Sequence, residues 1–211
     1  MNFAATSRRW VARALVLASA ALACLAPPAA RAANEAESHT QHHHVIPETT
    51  RSAVSYTVPD VPLVRDDGKA VRLPQELNDG RPVVLSFVYT SCTTVCPVTS
   101  ATLAELQRRL GAARDSVHLV SITIDPEFDT PARLREYAKL FGAGPEWQHY
   151  TGTLTASRAA QRAFDVYRGD KMNHSPATLV RAAPGAQWVR IDGFASAEQL
   201  LAELPSVHAS R

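Results

Sequence analysis

The sequence predicts an α/β domain in which a mixed central β-sheet is flanked by helices. Two apolar runs, 82–89 and 117–124, are nearly continuous, which is typical of strands that are covered on both faces. Between them, residues 97–110 carry leucines at helical spacing and predict an amphipathic helix. Two strands joined through a helix form a βαβ unit with a right-handed crossover, so this segment is the expected centre of the sheet.

The elements on either side of this unit follow from local signals. Residues 61–64 and 71–73 flank the turn Asp66-Asp67-Gly68 and predict an N-terminal β-hairpin. After the second buried strand, Thr130 can cap a helix whose first position is Pro131, because proline is tolerated there.

The remaining residues predict a short strand, two helices and a second hairpin. We expect residues 147–150 to form a short edge strand, and a helix to begin at Thr155. The segments 177–181 and 188–192 read as a hairpin, and 196–199 forms a capping box for the last helix. A strand that ends in a cysteine pair at a helix start, followed by these elements, is the thioredoxin-like arrangement. We assign this domain to residues 59–206 and a short C-terminal tail to 207–211.

The N-terminus has the pattern of a bacterial export signal. Basic residues precede an apolar, alanine-rich run at 14–30, and Ala30-Arg31-Ala32 offers a cleavage site, so the leader is predicted to be 1–32. Alternatives are an uncleaved membrane anchor and lipidation at Cys24. The run is shorter than the ~20 residues that a spanning helix needs. We therefore expect a periplasmic protein from which Cys24 is removed.

Removal of the leader changes both the charge and the cysteine count. Four arginines leave with it, which lowers the basic residues from 22 to 18 against 20 acidic ones, a formal net charge of −2. Such a balance argues against a nucleic-acid partner. Residues 33–58 have no sustained period and predict a flexible tail, in which His39, His42, His43 and His44 could capture metal or simply be solvated.

Cys92 and Cys96 are then the one cysteine pair of the exported chain, between the first buried strand and its helix. Backbone amides at a helix start stabilise thiolates, the form that attacks disulfides and binds metals. The pair could be a redox disulfide, a soft-metal site, or each in turn, and inert buried thiols are the alternative. A disulfide across so small a loop would stabilise the domain poorly.

His174 is a candidate third ligand. It lies just before the predicted strand 177–181, and in a thioredoxin-like topology that loop lies against the cysteine loop. Thiolates favour Cu(I) and imidazole also accepts Cu(II), whereas structural zinc usually needs four protein ligands. From spacing alone, however, a single loop histidine is more often a solvated polar residue. His118, His149 and His208 have no predicted role in a site.

The sequence resembles the Sco/SenC family of copper-binding, thioredoxin-like proteins from about residue 61 to residue 204. The resemblance is carried by LVRDDGKAV at 63–71, SFVYTSCTTVCP at 86–97, SITIDPEFDTP at 121–131, Trp147 with Thr151-Gly152, and His174-Ser175. It implies that Cys92, Cys96 and His174 bind Cu(I) and Cu(II).

The same resemblance implies a role in assembling the copper centre of cytochrome c oxidase, by copper delivery or by reduction of the recipient's cysteines. The expected partners are that copper-centre subunit or a related copper enzyme, and another periplasmic copper chaperone or a thiol reductant. We expect a monomer and no classical enzyme activity. The alternative function is a thiol-disulfide oxidoreductase in which Cys92 attacks and Cys96 resolves the mixed disulfide.

Asp125 and Asp129 match the family's acidic loop, which implies either support of the metal site and partner contact, or only turn and helix-cap roles. The chain departs from many members at Thr93 and Val98, where those members have proline and an acidic residue. These departures put the identity of the recipient in doubt, because they point to a bacterial subgroup with targets of its own.

Overall fold

A computed structural model describes residues 48–206 of the 211-residue chain. The predicted leader (1–32), the histidines of the predicted tail and the C-terminal tail (207–211) lie outside these residues. Within them the strands are β1 (Thr50–Val54), β2 (Pro62–Arg65), β3 (Ala70–Arg72), β4 (Val83–Val88), β5 (His118–Thr123), β6 (Trp147–Gly152), β7 (Ala177–Arg181) and β8 (Trp188–Asp192). The helices are α1 (Leu73–Leu77), α2 (Val95–Leu110), α3 (Pro131–Leu140), α4 (Leu154–Ala163) and α5 (Ala197–Ala202).

The strands form one mixed sheet in the order β1-β8-β7-β4-β5-β6-β2-β3. β4, β5 and β6 run parallel, and the other pairs are antiparallel. This is the predicted mixed α/β architecture. The C-terminal ends of β4 and β5 and the start of β7 lie at the same end of the sheet. The cysteines, the acidic loop and His174 are found there.

The core has two layers because successive strand residues point to opposite faces. Leu85 and Phe87 pack on one face with Phe164, while Val84 packs on the other face with Leu106 of α2. All five side chains are at most 2% exposed. β4 is buried along its whole length, as its continuous apolar run predicted.

One boundary and one strand position predicted from the sequence are wrong. The predicted tail at 33–58 includes β1, which pairs with β8 from Thr50 opposite Asp192 to Val54 opposite Trp188. β1 alternates and is short, so its sequence carries little signal, and its pairing partner lies far along the chain. The predicted edge strand at 147–150 is β6, which lies inside the sheet because the β2-β3 hairpin pairs along its outer side.

Local capping signals are confirmed. The Thr130 side chain accepts a hydrogen bond from the Arg133 N–H at the start of α3, and Ser196 and Gln199 form the capping box of α5. Helix α1 was not predicted, since its five residues are too few to show a helical period. Each helix among residues 48–206 falls short of the length and apolar character that crossing a bilayer requires.

Candidate metal centre

The two cysteines lie on the loop that connects β4 to α2. A turn closes when the Cys92 N–H donates to the Tyr89 carbonyl at 3.1 Å, and Cys96 falls in the first turn of α2. Both thiols are free and buried, with Cys92 7% and Cys96 0% exposed. The Cys96 N–H donates to Cys92 Sγ at 3.3 Å, so the loop brings the second cysteine's backbone against the first cysteine's sulfur.

The surroundings of the two thiols give them opposite acidities. Burial raises the pKa of Cys92, but hydrogen bonds from the backbone N–H groups of Cys96 and Thr94, and from the Tyr89 hydroxyl, outweigh it and lower this pKa to about 7. Burial raises the pKa of Cys96 well above its usual range, and the hydrogen bond with Cys92 adds to the effect. Cys92 is therefore about half thiolate at neutral pH, and Cys96 keeps its proton in the absence of metal.

His174 follows a 3₁₀ turn at Lys171–Asn173 and leads into β7. Its Nε2 lies 3.1 Å from the Phe87 carbonyl oxygen, which can only accept, so Nε2 carries the proton and donates. Nδ1 is buried with no hydrogen-bond partner. Burial lowers the pKa of His174, and the hydrogen bond with Phe87 offsets this effect only in part. The pKa therefore stays below its ordinary value, and the imidazole is neutral at pH 7.

This arrangement fits a metal ligand. A neutral imidazole whose proton is fixed on one nitrogen presents a lone pair on the other, as metal-binding histidines do. Leaving Nδ1 buried and unpaired is otherwise unfavourable, since a buried polar atom without a partner costs about 1–3 kcal/mol. His174 also contacts β4, the strand that leads into the cysteine loop.

The three predicted ligands do not converge as they stand. Among residues 48–206, no group of three histidine, cysteine or acidic side chains is close enough to hold a metal ion. The structure brings Cys92 and Cys96 together. It places His174 at the same end of the sheet, with its ring hydrogen-bonded to the Phe87 carbonyl. Metal binding by all three therefore requires His174 and the cysteine loop to come closer together than they are in this structure.

The two aspartates of the acidic loop have different roles. Asp129 is 0% exposed and accepts hydrogen bonds from the backbone and hydroxyl of Thr90 and from the hydroxyl of Thr123. It thus holds the residue that begins the cysteine loop. Asp125 forms an ion pair with Lys171 at 2.5 Å, which connects the loop after β5 to the histidine turn. Asp129 is therefore a structural support, and Asp125 is a tether of the turn that carries His174.

Sequence reasoning missed Tyr89 and Lys171. Tyr89 ends the apolar run of β4 and looked like a core residue, but its hydroxyl bonds to the Cys92 thiol, and burial together with this bond raises the pKa of Tyr89 to about 12. The Lys171 ammonium lies 5.6 Å from the centroid of the Tyr89 ring. Their only sequence signal is position, since Tyr89 comes directly after β4 and Lys171 comes three residues before His174.

A mixed sheet with a buried cysteine pair at the start of a helix defines a thioredoxin-like protein. Residues 50–208 match the SCO1/SenC family, and the chain belongs to this family. The match begins at β1, in agreement with the strand that the structure shows there.

Individual relatives and structures agree with this assignment. The chain is 31% identical over 103 residues to a SCO1 protein homolog of Bacillus subtilis, a match that covers 48% of this chain and 52% of the relative, so the chain spans about half of that protein's length. Copper-bound ScoI of Bradyrhizobium japonicum is 26% identical, with a TM-score of 0.55 over 62% of this chain and 87% of that one. Copper-bound ScoI of Arabidopsis thaliana gives 26% and 0.55, over 68% and 92%.

Proposed function

We propose that this chain is an exported copper metallochaperone that binds Cu(I) and Cu(II) through Cys92, Cys96 and His174. The observation that carries the proposal is that one end of the sheet holds both a buried cysteine pair with an acidic thiol and a neutral histidine whose Nδ1 is buried and unpaired. Both features are unfavourable in a purely structural site and suited to a metal. Two copper-bound ScoI structures among the relatives support copper as the ion.

The donor set favours copper over zinc. Two thiolates suit a soft monovalent ion, and an imidazole extends the site to Cu(II), whereas a structural zinc site closes with four ligands. Copper is here the cargo, so a site with only three ligands is an advantage, because a recipient's ligand can enter it. Handover then proceeds by exchange of these ligands for those of the recipient.

We further propose that the recipient is the copper-centre subunit of cytochrome c oxidase or a related copper enzyme, reached in the periplasm. Membership of the SCO1/SenC family and the export pattern of residues 1–32 support this assignment. A cavity of about 510 Å³ beside His174, lined by Asp125 and Lys171 among others, leaves this side of the histidine turn open to solvent.

Copper titration tests the metal site. The exported, reduced protein should bind one equivalent of copper, measured for Cu(I) by competition with a chromogenic chelator and for Cu(II) by absorbance. The double variant Cys92→Ser/Cys96→Ser should lose this binding. His174→Ala should weaken Cu(II) binding by at least about tenfold, and Asn173→Ala, an exposed neighbour without a ligand atom of this kind, should not. Stoichiometric binding that survives loss of both cysteines would contradict the proposal.

A second candidate function is thiol-disulfide exchange with a recipient's cysteines. Its specific support is the asymmetry of the pair, since a low-pKa Cys92 can attack a disulfide and a protonated Cys96 lies beside it to resolve the mixed disulfide. A cellular assay of the recipient's copper centre separates the two. Full function with His174→Ala and none with Cys92→Ala would favour exchange, whereas loss in both variants would favour copper delivery.

A further inference from the structure

Met172 lies in the middle of the 3₁₀ turn that precedes His174, and its side chain is unusually open for an apolar residue. It is 72% exposed, although large apolar side chains are normally buried. Its backbone N–H donates to the Asp170 carboxylate at 2.9 Å, which fixes the start of the turn. The sulfur is therefore presented to solvent from a backbone that is held in place.

The Met172 sulfur is also close to the cysteine loop. The Tyr89 hydroxyl lies 3.9 Å from Met172 Sδ, and the Tyr89 carbonyl accepts a hydrogen bond from the Cys92 N–H at 3.1 Å. The neighbouring Lys171 ammonium sits over the Tyr89 ring and pairs with Asp125. Two consecutive residues of the turn thus contact Tyr89, and Tyr89 connects the turn to the cysteine loop.

We propose that Met172 is an additional Cu(I) ligand, which forms with Cys92 an outer pair of sulfur donors at the solvent side of Tyr89. The inference rests on the proposed copper function and deepens it. Thioethers are soft donors that select Cu(I) over Cu(II), and they need no deprotonation to bind. Copper that reaches this pair has moved away from the fully buried Cys96 towards the exposed Met172, where a recipient's ligands can take it.

The step at this pair is a ligand exchange. A bond between Cu(I) and Met172 Sδ forms while the bond to Cys96 or His174 breaks, and copper remains Cu(I), so no electron is gained or lost. Met172 therefore supplies a route out of the buried site. A leucine there would have similar volume but no donor atom.

The chain makes this inference directly testable, because it contains only two methionines, Met1 and Met172. The full chain is produced with selenomethionine, loaded with one equivalent of Cu(I) under reducing conditions, and studied by selenium-edge X-ray absorption. We expect copper in the first shell of selenium, and its complete loss in labelled Met172→Leu. Competition with a Cu(I) chelator should show about a three- to tenfold weaker Cu(I) affinity in this variant, with Cu(II) affinity unchanged.

The outcomes separate this inference from the function on which it rests. One equivalent of Cu(I) bound to Cys92 and Cys96 with no copper near selenium would overturn the role of Met172 and leave the chaperone proposal standing. Failure of the wild-type protein to bind Cu(I) would overturn both. Equal loss of Cu(I) and Cu(II) affinity in Met172→Leu would show that the residue only supports the turn, and would also reject a ligand role.

Discussion

Two histidines at opposite ends of the central strands, His118 and His174, show how different the surroundings of the same side chain can be in this fold. His118 begins β5 and is 1% exposed, with Nδ1 3.2 Å from the Glu76 carbonyl oxygen and Nε2 3.2 Å from the Tyr150 hydroxyl. Asp79 lies 3.1 Å from the same Nδ1. His174, where the parallel strands end, has one nitrogen paired with Phe87 and one without a partner.

The difference separates a histidine whose two ring nitrogens both have protein partners from one with an unpaired nitrogen. Both lie in buried surroundings that lower the pKa and keep the ring neutral. At His118 every ring nitrogen has a protein partner, so nothing remains to bind a metal. At His174 the unpaired Nδ1 costs stability that a bound ion would return. Beside it lie free thiols and the exposed thioether of Met172.

The largest predicted effect concerns Asp129, the buried carboxylate that supports the cysteine loop. Asp129→Ala removes the acceptor of three hydrogen bonds and leaves buried donors on Thr90 and Thr123 unsatisfied. We expect a loss of about 3 kcal/mol in the free energy of unfolding, measured by urea denaturation. Asp129→Asn, which keeps an acceptor oxygen, should lose less, and equal losses in both variants would contradict this account.

The second prediction concerns the pH dependence of the cysteine pair. Because the pKa of Cys92 is lowered to about 7, its thiolate fraction and its alkylation rate should fall about tenfold per pH unit below that value and level off above it. Over about two pH units this is a factor of about 100. Mass spectrometry of the reduced protein after timed iodoacetamide treatment measures the rate at each cysteine.

Cys96 is the internal control for that experiment, since burial raises its pKa and covers its sulfur. We expect no labelling of Cys96 in the folded protein at neutral pH. A midpoint for Cys92 near the ordinary thiol range, or equal labelling of both residues, would show that the hydrogen bonds to Cys92 do not outweigh its burial.

The third prediction concerns the unequal contribution of His118 and His174 to stability. His118→Ala removes paired hydrogen bonds and opens a cavity, and should lower the free energy of unfolding by about 2 kcal/mol with copper binding unchanged. His174→Ala removes the hydrogen bond to Phe87 together with an unpaired buried nitrogen, two effects of opposite sign, and should change stability by less than about 0.5 kcal/mol while weakening copper binding. The same stability loss in both variants, measured by urea denaturation without metal, would refute the contrast.

The smallest predicted effect lies in the acidic loop. Thr130→Ala removes the hydroxyl that caps α3 and should cost about 1 kcal/mol of stability. Thr130→Ser keeps the cap and is the matched control. Because Thr130 is exposed and follows the buried Asp129, copper affinity should stay the same in both variants. A change in copper affinity would show that the cap also positions the cysteine loop.

Much of the fold could be predicted because the informative elements are locally encoded. β4 is a continuous apolar run, α3 and α5 carry their own caps, and β7 and β8 match the predicted hairpin. β1 and the interior position of β6 could not be predicted. Their environment is set by hydrogen bonds to strands that are distant in sequence, and a single strand's pattern does not name its neighbours.

The residues of the candidate metal site also differ in how much of their role can be predicted from the sequence. The sequence by itself determined that Cys92 and Cys96 stand between a buried strand and a helix, and that His174 precedes another strand, because these are facts of order along the chain. Only the tertiary structure decided which thiol is acidic, which nitrogen of His174 is free, and that Tyr89 connects Cys92 to Met172. Acidity, tautomer and contact depend on burial and on hydrogen-bond partners from other elements, and those exist only once the sheet has assembled.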